Sequence, residues 1–365
     1  MFICTGITQS AAIDNIEQCS MSILKGKTLY VGGTGEGNYT TIYDALWDAG
    51  GGDTVFVYNG TYYENLCIRD KINLIGESKY TTIIDGSNSS DVIAMNTDNV
   101  KISGFTIQKS DGVGIDCMHH SNHVIEGNII RDNPYYGIRI DKSYNGPATN
   151  NIIANNIIMN NKVGVVIGGS SPLWSGLIKN NTIYNNIISS NNVGIDFFWA
   201  EHNTIRNNNI TNNNEGIILE RSEYNTIRDN NIIKNLIGLN SCISITNYIS
   251  KNNFIGNIRN AYFSTAWLTL SDTLKNPDTW YSNYWDNWKG YGQKIVFGGL
   301  SRGGLFLEIL LLSIYVILEY EIIYSIYDIR NRMIPNTNGR KFVKIPLVQF
   351  DRFPAKEPYN IEVVI

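Results

Sequence analysis

The sequence predicts an all-β fold: a right-handed parallel β-helix, a single-chain solenoid with about 22 residues per rung. Three observations predict it. A Gly followed by an aliphatic residue recurs at Gly114, Gly137, Gly164, Gly194, Gly216 and Gly238, with intervals of 23, 27, 30, 22 and 22 residues. In phase with it run a column of aliphatics (Ile125, Ile153, Ile183, Ile205, Ile227, Ile249) and a second one five residues on (Ile130, Ile158, Ile188, Ile210, Ile232, Phe254). Between them stands a column of asparagines, Asn128, Asn156, Asn186, Asn208, Asn230 and Asn252. A fixed period of this length is the mark of a repeat architecture.

Each element has a physical reason. Short strands of alternating direction suit Ile and Val, whose branched side chains pack on a pleated surface. Asn tolerates left-handed backbone and bonds its own backbone, so it suits the corners. With rungs stacked about 4.8 Å apart, each Asn of the column lies over the next, and the amides are expected to form a structural ladder. The two long intervals carry surface insertions, Lys142 to Thr149 and Gly168 to Lys179, rich in Gly, Pro and Ser. Earlier rungs repeat less strictly, at Thr54–Val57, Ile72–Ile75, Thr82–Ile84, Val92–Ala94, Val100–Ile102 and Phe105–Ile107. Before them, Tyr39 to Ala49 places Ile42, Ala45 and Leu46 on one helical face with Thr40 or Thr41 as N-cap. That helix would plug the open end of the coil, where an exposed edge invites aggregation.

Four segments follow: residues 1–27 as a leader remnant or disordered stretch, 28–260 as the coil with its N-terminal cap, 261–300 as an aromatic cap, and 301–365 as an apolar segment with a tail. Met1 to Ala12 ends in small residues like a signal cleavage site but has no basic region, and reads as the end of a secretory leader. The cap is marked by Tyr262, Phe263, Trp267, Trp280, Tyr281, Tyr284, Trp285, Trp288 and Tyr291, with a sugar-stacking platform as the alternative. Leu305 to Tyr327 is strongly apolar, but Glu308, Glu319 and Glu321 interrupt it, and Ile309 to Leu318 is too short to cross a bilayer. Buried packing is favoured over a membrane anchor. The tail from Arg330 is expected along the surface.

A formal charge of -4 leaves no basic surplus for phosphates, which argues against nucleic acid as a partner. Five cysteines without a CxxC pair write neither a zinc site nor a disulfide framework. Five N-x-[ST] sequons, at Asn38, Asn59, Asn88, Asn180 and Asn209, agree with an extracellular or cell-surface location.

With the Gly and Asn columns in place, the chain resembles the NosD-like branch of the parallel β-helix repeat proteins, within the superfamily of carbohydrate-binding and sugar-hydrolase β-helices. GNYTTIYDALWDAGGGDTVFVYNGTYYENLCI, with INLIGES and TTIIDG, looks like that family's amino-terminal module. NYWDNW and FDRFPAKEPYNI look like the end segments of secreted archaeal members. The resemblance covers most of Thr28 to Gly292 and a short tail. It implies the architecture, and a copper-related name that derives from proteins serving copper enzymes.

Alternation along the strand after each Gly sends the first and third residues inward, as in Ile195/Phe197, and their neighbours outward. Asp116, Arg139, Asp141, Asp196 and Glu220 are therefore expected to share one outer face. With Phe198 and Trp199 beside Asp196, this face suits a polysaccharide or cell-surface glycan. As an enzyme it would be a glycoside hydrolase, needing two carboxylates about 5 Å or 6.5–9.5 Å apart, for which Asp116 and Asp141 on successive rungs are the candidates. As a polysaccharide lyase it would use calcium held by carboxylates and a base such as Arg139. The NTD, DD, GHG and RIK pattern of polygalacturonase-like enzymes is absent, so a non-catalytic structural or carbohydrate-binding module is the leading expectation. The other reading is copper binding or delivery: Cys117, Met118, His119, His120 and His123 form the Cys/Met/His cluster that copper would choose. Cys117 falls in the inward column and reads as core, which leaves Met118, His119, His120 and His123 free at the corner. His202 reads as the following corner.

Overall fold

The computed structural model describes residues 26–142, 146–169, 178–265, 270–289, 293–300, 347–351 and 353–363. Residues 1–25 with Cys4 and Cys19, residues 143–145 and 170–177 of the two insertions, Trp267, Tyr291 and the apolar stretch Leu305 to Tyr327 lie outside the described residues.

Each coil contributes three short strands to three parallel sheets, called here faces A, B and C. One coil runs through Val193–Phe198 on face A, Thr204–Arg206 on face B and Asn209–Thr211 on face C; the next repeats them at Glu215–Glu220, Thr226–Arg228 and Asn231–Ile233. Face C alone has ten strands among the described residues. The register sets Ile195 beside Ile217 and Leu239, Ile205 beside Ile227 and Ile249, and Ile210 beside Ile232 and Phe254. All are buried, so the aliphatic columns are the core of a right-handed parallel β-helix. Tyr136–Lys142, Val163–Gly169 and Val193–Phe198 pair directly, so both insertions leave from the corner between faces A and B without disturbing the stack.

The expected asparagine ladder is present, with Asn208 Nδ2 donating to Asn230 Oδ1 at 3.0 Å. Two further ladders were not foreseen. At the A/B corner His123, Asn151, Asn181, Asn203, Asn225, Asn247 and Asp278 form one; at the C/A corner Asn133, Asn161, Asn191, Asn213, Asn235 and Asn257 form the other. The ladder residue is not the one that takes the left-handed backbone. The residue before it does, as with Asn207 (φ 55°) ahead of Asn208, which frees the buried amide to bond from layer to layer.

The glycine column has its own cause. A Cβ on Gly216 would stand 2.5 Å from the carbonyl oxygen of Gly238 on the next rung, and Gly137 and Gly194 meet the same obstacle. At the first end the helix spans Ile42–Asp48, N-capped by Thr41, with Ile42 and Ala45 buried and Leu46 against the core. The six expected early strands are all found, within one residue of their expected bounds; Thr28–Val31, Gly60–Tyr63 and Leu66–Ile68 add to them.

At the other end Trp280 and Trp285 occupy the inward columns of Ile249 and Phe254 and are buried, with Trp285 stacked on Phe254 at 4.3 Å. These two fill the last rung from within, while Tyr281 stays exposed. Part of the tail does more than run along the surface. Leu347–Asp351 pairs antiparallel with Lys294–Leu300, and buried Asp351 ends the Asn208 ladder by accepting from Asn283. Residues 353–363 then cross face C, where the Asn253 amide meets both the N–H and the C=O of Tyr359.

Candidate functional site on the outer side of face A

Face A has the longest strands, and its outward residues form two columns. Asp116, Arg139, Val166, Asp196, Ile218 and Asn240 lie in the first. Asp141, Gly168, Phe198, Glu220 and Cys242 lie in the second. The expected residues therefore do share one side of the coil, but they fall into two groups with different surroundings.

Around Asp116 the expectation of an available carboxylate is overturned. Asp116 points outward yet is only 2% exposed, because the Arg139 guanidinium lies over it with Nε donating to Oδ1 at 3.0 Å and Nη2 to Oδ2, while Met118 N–H donates to Oδ1 at 3.0 Å. The pair is bidentate, the strongest form of such contact. The Asp116 carboxylate raises the pKa of Arg139 above the ordinary arginine value, so the guanidinium keeps its proton and is a poor base. Asp116 and Asp141 do not face each other: Arg139 is opposite Asp116, and Asp141 is level with Gly168.

Three coils on from Asp116, the residues Asp196, Phe198 and Trp199 gather with Glu220 of the following coil. Trp199 turns the corner at φ 54°, its ring 6.1 Å from Phe198 at 68°, and the Arg221 guanidinium lies 5.5 Å from its centre. Arg221 is also paired with Glu220. Asp196 has no hydrogen bond or ion pair among the described residues, and burial, then Glu220 and Glu215, push its pKa up to about 6. Glu215 is held by Asn240 Nδ2 at 2.9 Å. Farther around the corner His202 stacks on exposed Tyr224 at 5.1 Å and 7°. Glu215, Arg221 and Tyr224 were missed by sequence reasoning, although Arg221 and Tyr224 follow Trp199 and His202 by one period of 22 residues.

The histidine cluster is not free at its corner. His123 is 0% exposed and begins the A/B ladder, its N–H bonded to Asn151 Oδ1 at 2.9 Å. Val100 N–H donates to its Nδ1 at 3.3 Å, which places the ring proton on Nε2, a buried donor with no partner. Burial lowers its pKa to about 4. His120 Nδ1 is engaged with Asp98 at 3.2 Å, and its ring is 4.9 Å from that of His119. Cys117 is buried, and desolvation raises its thiol pKa well above the ordinary value. Met118 is half-buried at the turn, with φ 42°. A metal ligand needs a lone pair or a thiolate; His123 offers an N–H and Cys117 a neutral thiol. Among the described residues no group of three or more His, Cys, Asp or Glu side chains is arranged to hold a metal ion, copper or calcium. No described helix is long and apolar enough to cross a membrane.

Among solved structures the chain is similar to the A-module of a mannuronan C-5 epimerase from Azotobacter vinelandii (18% identity, 61% of this chain and 84% of that one, TM-score 0.42). It is similar too to the pectate lyase Pel9A (13%, 67% and 76%, TM-score 0.46). A third is an alginate lyase from Paenibacillus sp. (16%, 66% and 94%, TM-score 0.40). No curated protein matches the chain. The profile of the family described as periplasmic copper-binding protein (NosD) matches residues 50–290. The copper of that description does not fit the Cys117 to His123 cluster of this chain. By the extent of the match, the chain belongs to the NosD family.

Proposed function

We propose that this NosD-family coil is an extracytoplasmic carbohydrate-binding module that docks a glycan on the outer side of face A without cleaving it. The observation that carries the reading is the grouping of Phe198 and Trp199 with Asp196, Glu220 and Arg221 on neighbouring rungs. Aromatic faces take the apolar side of a sugar ring, and carboxylates and a guanidinium take its hydroxyls. The carboxylates Asp196, Glu215 and Glu220 outnumber the single guanidinium, so the local field selects neutral or amino-sugar polymers over polyuronates. The family's periplasmic description and the sequons support the location. The clamp of Arg139 on Asp116 supports the absence of catalysis at that end.

Isothermal titration of the full chain against neutral glucan, chitosan and polygalacturonate oligomers tests this. Binding of one of the first two is expected, and Trp199→Ala should weaken it about tenfold, about 1.4 kcal/mol. Binding that survives Trp199→Ala unchanged, or that prefers polygalacturonate, defeats the reading.

A second reading, sugar cleavage, has one observation in its favour: a carboxyl with pKa about 6 is suited to act as a general acid. It predicts reducing-end release from the bound glycan that Asp196→Asn abolishes; no release from the unaltered protein sinks it.

A further inference from the structure

Of the five sequons, we propose that Asn59, Asn88 and Asn180 are N-glycan acceptors and that Asn38 and Asn209 are not; this rests on the extracytoplasmic location proposed above. In the transfer, the acceptor Nδ2 forms a bond to the anomeric carbon of a lipid diphosphate-linked oligosaccharide. The anomeric C–O bond to the diphosphate breaks, the lipid diphosphate leaves, and one Nδ2 proton is lost to base. The product carries a hydrated glycan on that nitrogen, so the folded chain must present the nitrogen to solvent.

The five sites divide on that criterion. Asn88 and Asn180 are exposed at left-handed turns, φ 54° and 59°, and neither side chain is bonded among the described residues. Asn59 is exposed, and Thr81 and Thr82 hydroxyls anchor its side-chain oxygen, which leaves the nitrogen as the unbonded end. The hydroxyl residues Thr61 and Ser90 are exposed, and Thr182 is half-buried on face B. In contrast, Asn38 Nδ2 is spent on Gly32 O at 2.6 Å. Asn209 begins its strand on the flat of face C, half-buried between Ile187 and Asn231, and the tail crosses that face beside it, with Asn231 Nδ2 donating to Ile361 O at 3.0 Å. The three acceptors stand one at each corner: Asn59 between faces B and C, Asn88 between C and A, Asn180 between A and B.

The test is to secrete the full chain from a host with N-glycosylation machinery and release the glycans with peptide N-glycosidase in ¹⁸O water. Labelled aspartates are then mapped by mass spectrometry, and glucan or chitosan binding is measured on the same protein. Label at residues 59, 88 and 180 alone, lost in N59Q/N88Q/N180Q, is expected. Label at 38 or 209, or at none of the five, overturns the assignment. Because binding at Trp199 is read separately, loss of binding with the expected label defeats the glycan-docking reading alone.

Discussion

Two stretches of the coil solve the same corner differently. In the strict rungs one coil carries Asn203, Asn208 and Asn213 at its three corners, and the next carries Asn225, Asn230 and Asn235, all buried. In an early rung the equivalent positions hold Val100, Phe105 and Ser110, whose N–H groups donate to His123 Nδ1, Asn128 Oδ1 and Asn133 Oδ1 and so mark where the ladders begin. Val100 and Phe105 fill volume. The amides also bind the layers to each other: Asn208 Oδ1 accepts the backbone N–H and Nδ2 of Asn186, while its own Nδ2 reaches Ile183 O, Arg206 O and Asn230 Oδ1. The amide fixes which residue stands at the corner, not how long the coil is: bonds along the Asn208 ladder span 28, 30, 22 and 31 residues. The residues beyond 22 leave the stack, in two coils at the corner between faces A and B, and the laddered strands on either side still pair directly.

The largest test sets the two corners against each other. Asn208→Leu would orphan the Asn186 N–H and the Ile183 and Arg206 carbonyls inside the coil, a loss of about 3–4 kcal/mol. Phe105→Leu removes part of one ring from an apolar corner and should cost about 1 kcal/mol. Urea denaturation of both variants measures this, and equal losses would mean that the amides add nothing beyond volume.

Next in size is the pH response of one ladder, whose ends are His123 and Asp278. Burial raises Asp278 to about 6 even though Ser241 Oγ and the Asn247 amide donate to it. The folded chain therefore binds this proton more tightly than the unfolded one, and the stability it contributes is present at about pH 4 and lost as pH rises through about 6. His123, beside His120 and Asp98, behaves in the opposite way: lowered to about 4, it contributes stability above about pH 6.5 that is lost as pH falls toward 4. Each is on the order of 2–3 kcal/mol, and in the unaltered chain they nearly cancel between pH 4 and 7. Asp278→Asn should leave a chain that weakens toward acid, and His123→Asn one that strengthens. Parallel melting curves for the two variants across this range would refute the assignment.

The period was legible because core Ile and one Asn column keep their spacing through the insertions. The other two ladders were hidden for particular reasons. The A/B ladder starts at a histidine, ends at an aspartate after Pro277, and runs through the corner that carries both insertions. The C/A ladder sits in doublets and triplets such as Asn212-Asn213-Asn214, where composition does not say which amide turns inward. The same ambiguity assigned the left-handed turn to Asn208 when Asn207 takes it. At the site, alternation placed Asp116 outward, but only the neighbouring rung reveals that Arg139 covers it. Arg221 could have been found by adding one period to Trp199, since in a solenoid the partner of a residue is its counterpart on the next turn.

The smallest test concerns how closely those turns approach. In the strict rungs Gly216 has a carbonyl oxygen 2.5 Å from where a Cβ would stand, whereas Gly51, beside the first end of the coil, has nothing within 4 Å. Backbone cannot retreat from backbone without parting the sheet, so Gly216→Ala should cost about 1–3 kcal/mol. Gly51→Ala, with open space and an ordinary φ, should be neutral or stabilise by a few tenths of a kcal/mol through the unfolded chain. Thermal unfolding of the pair separates the two. A tolerated Gly216→Ala would show that the rungs can slide apart locally, and that the amide ladders, rather than the close approach of face A, hold the spacing of the strict coils.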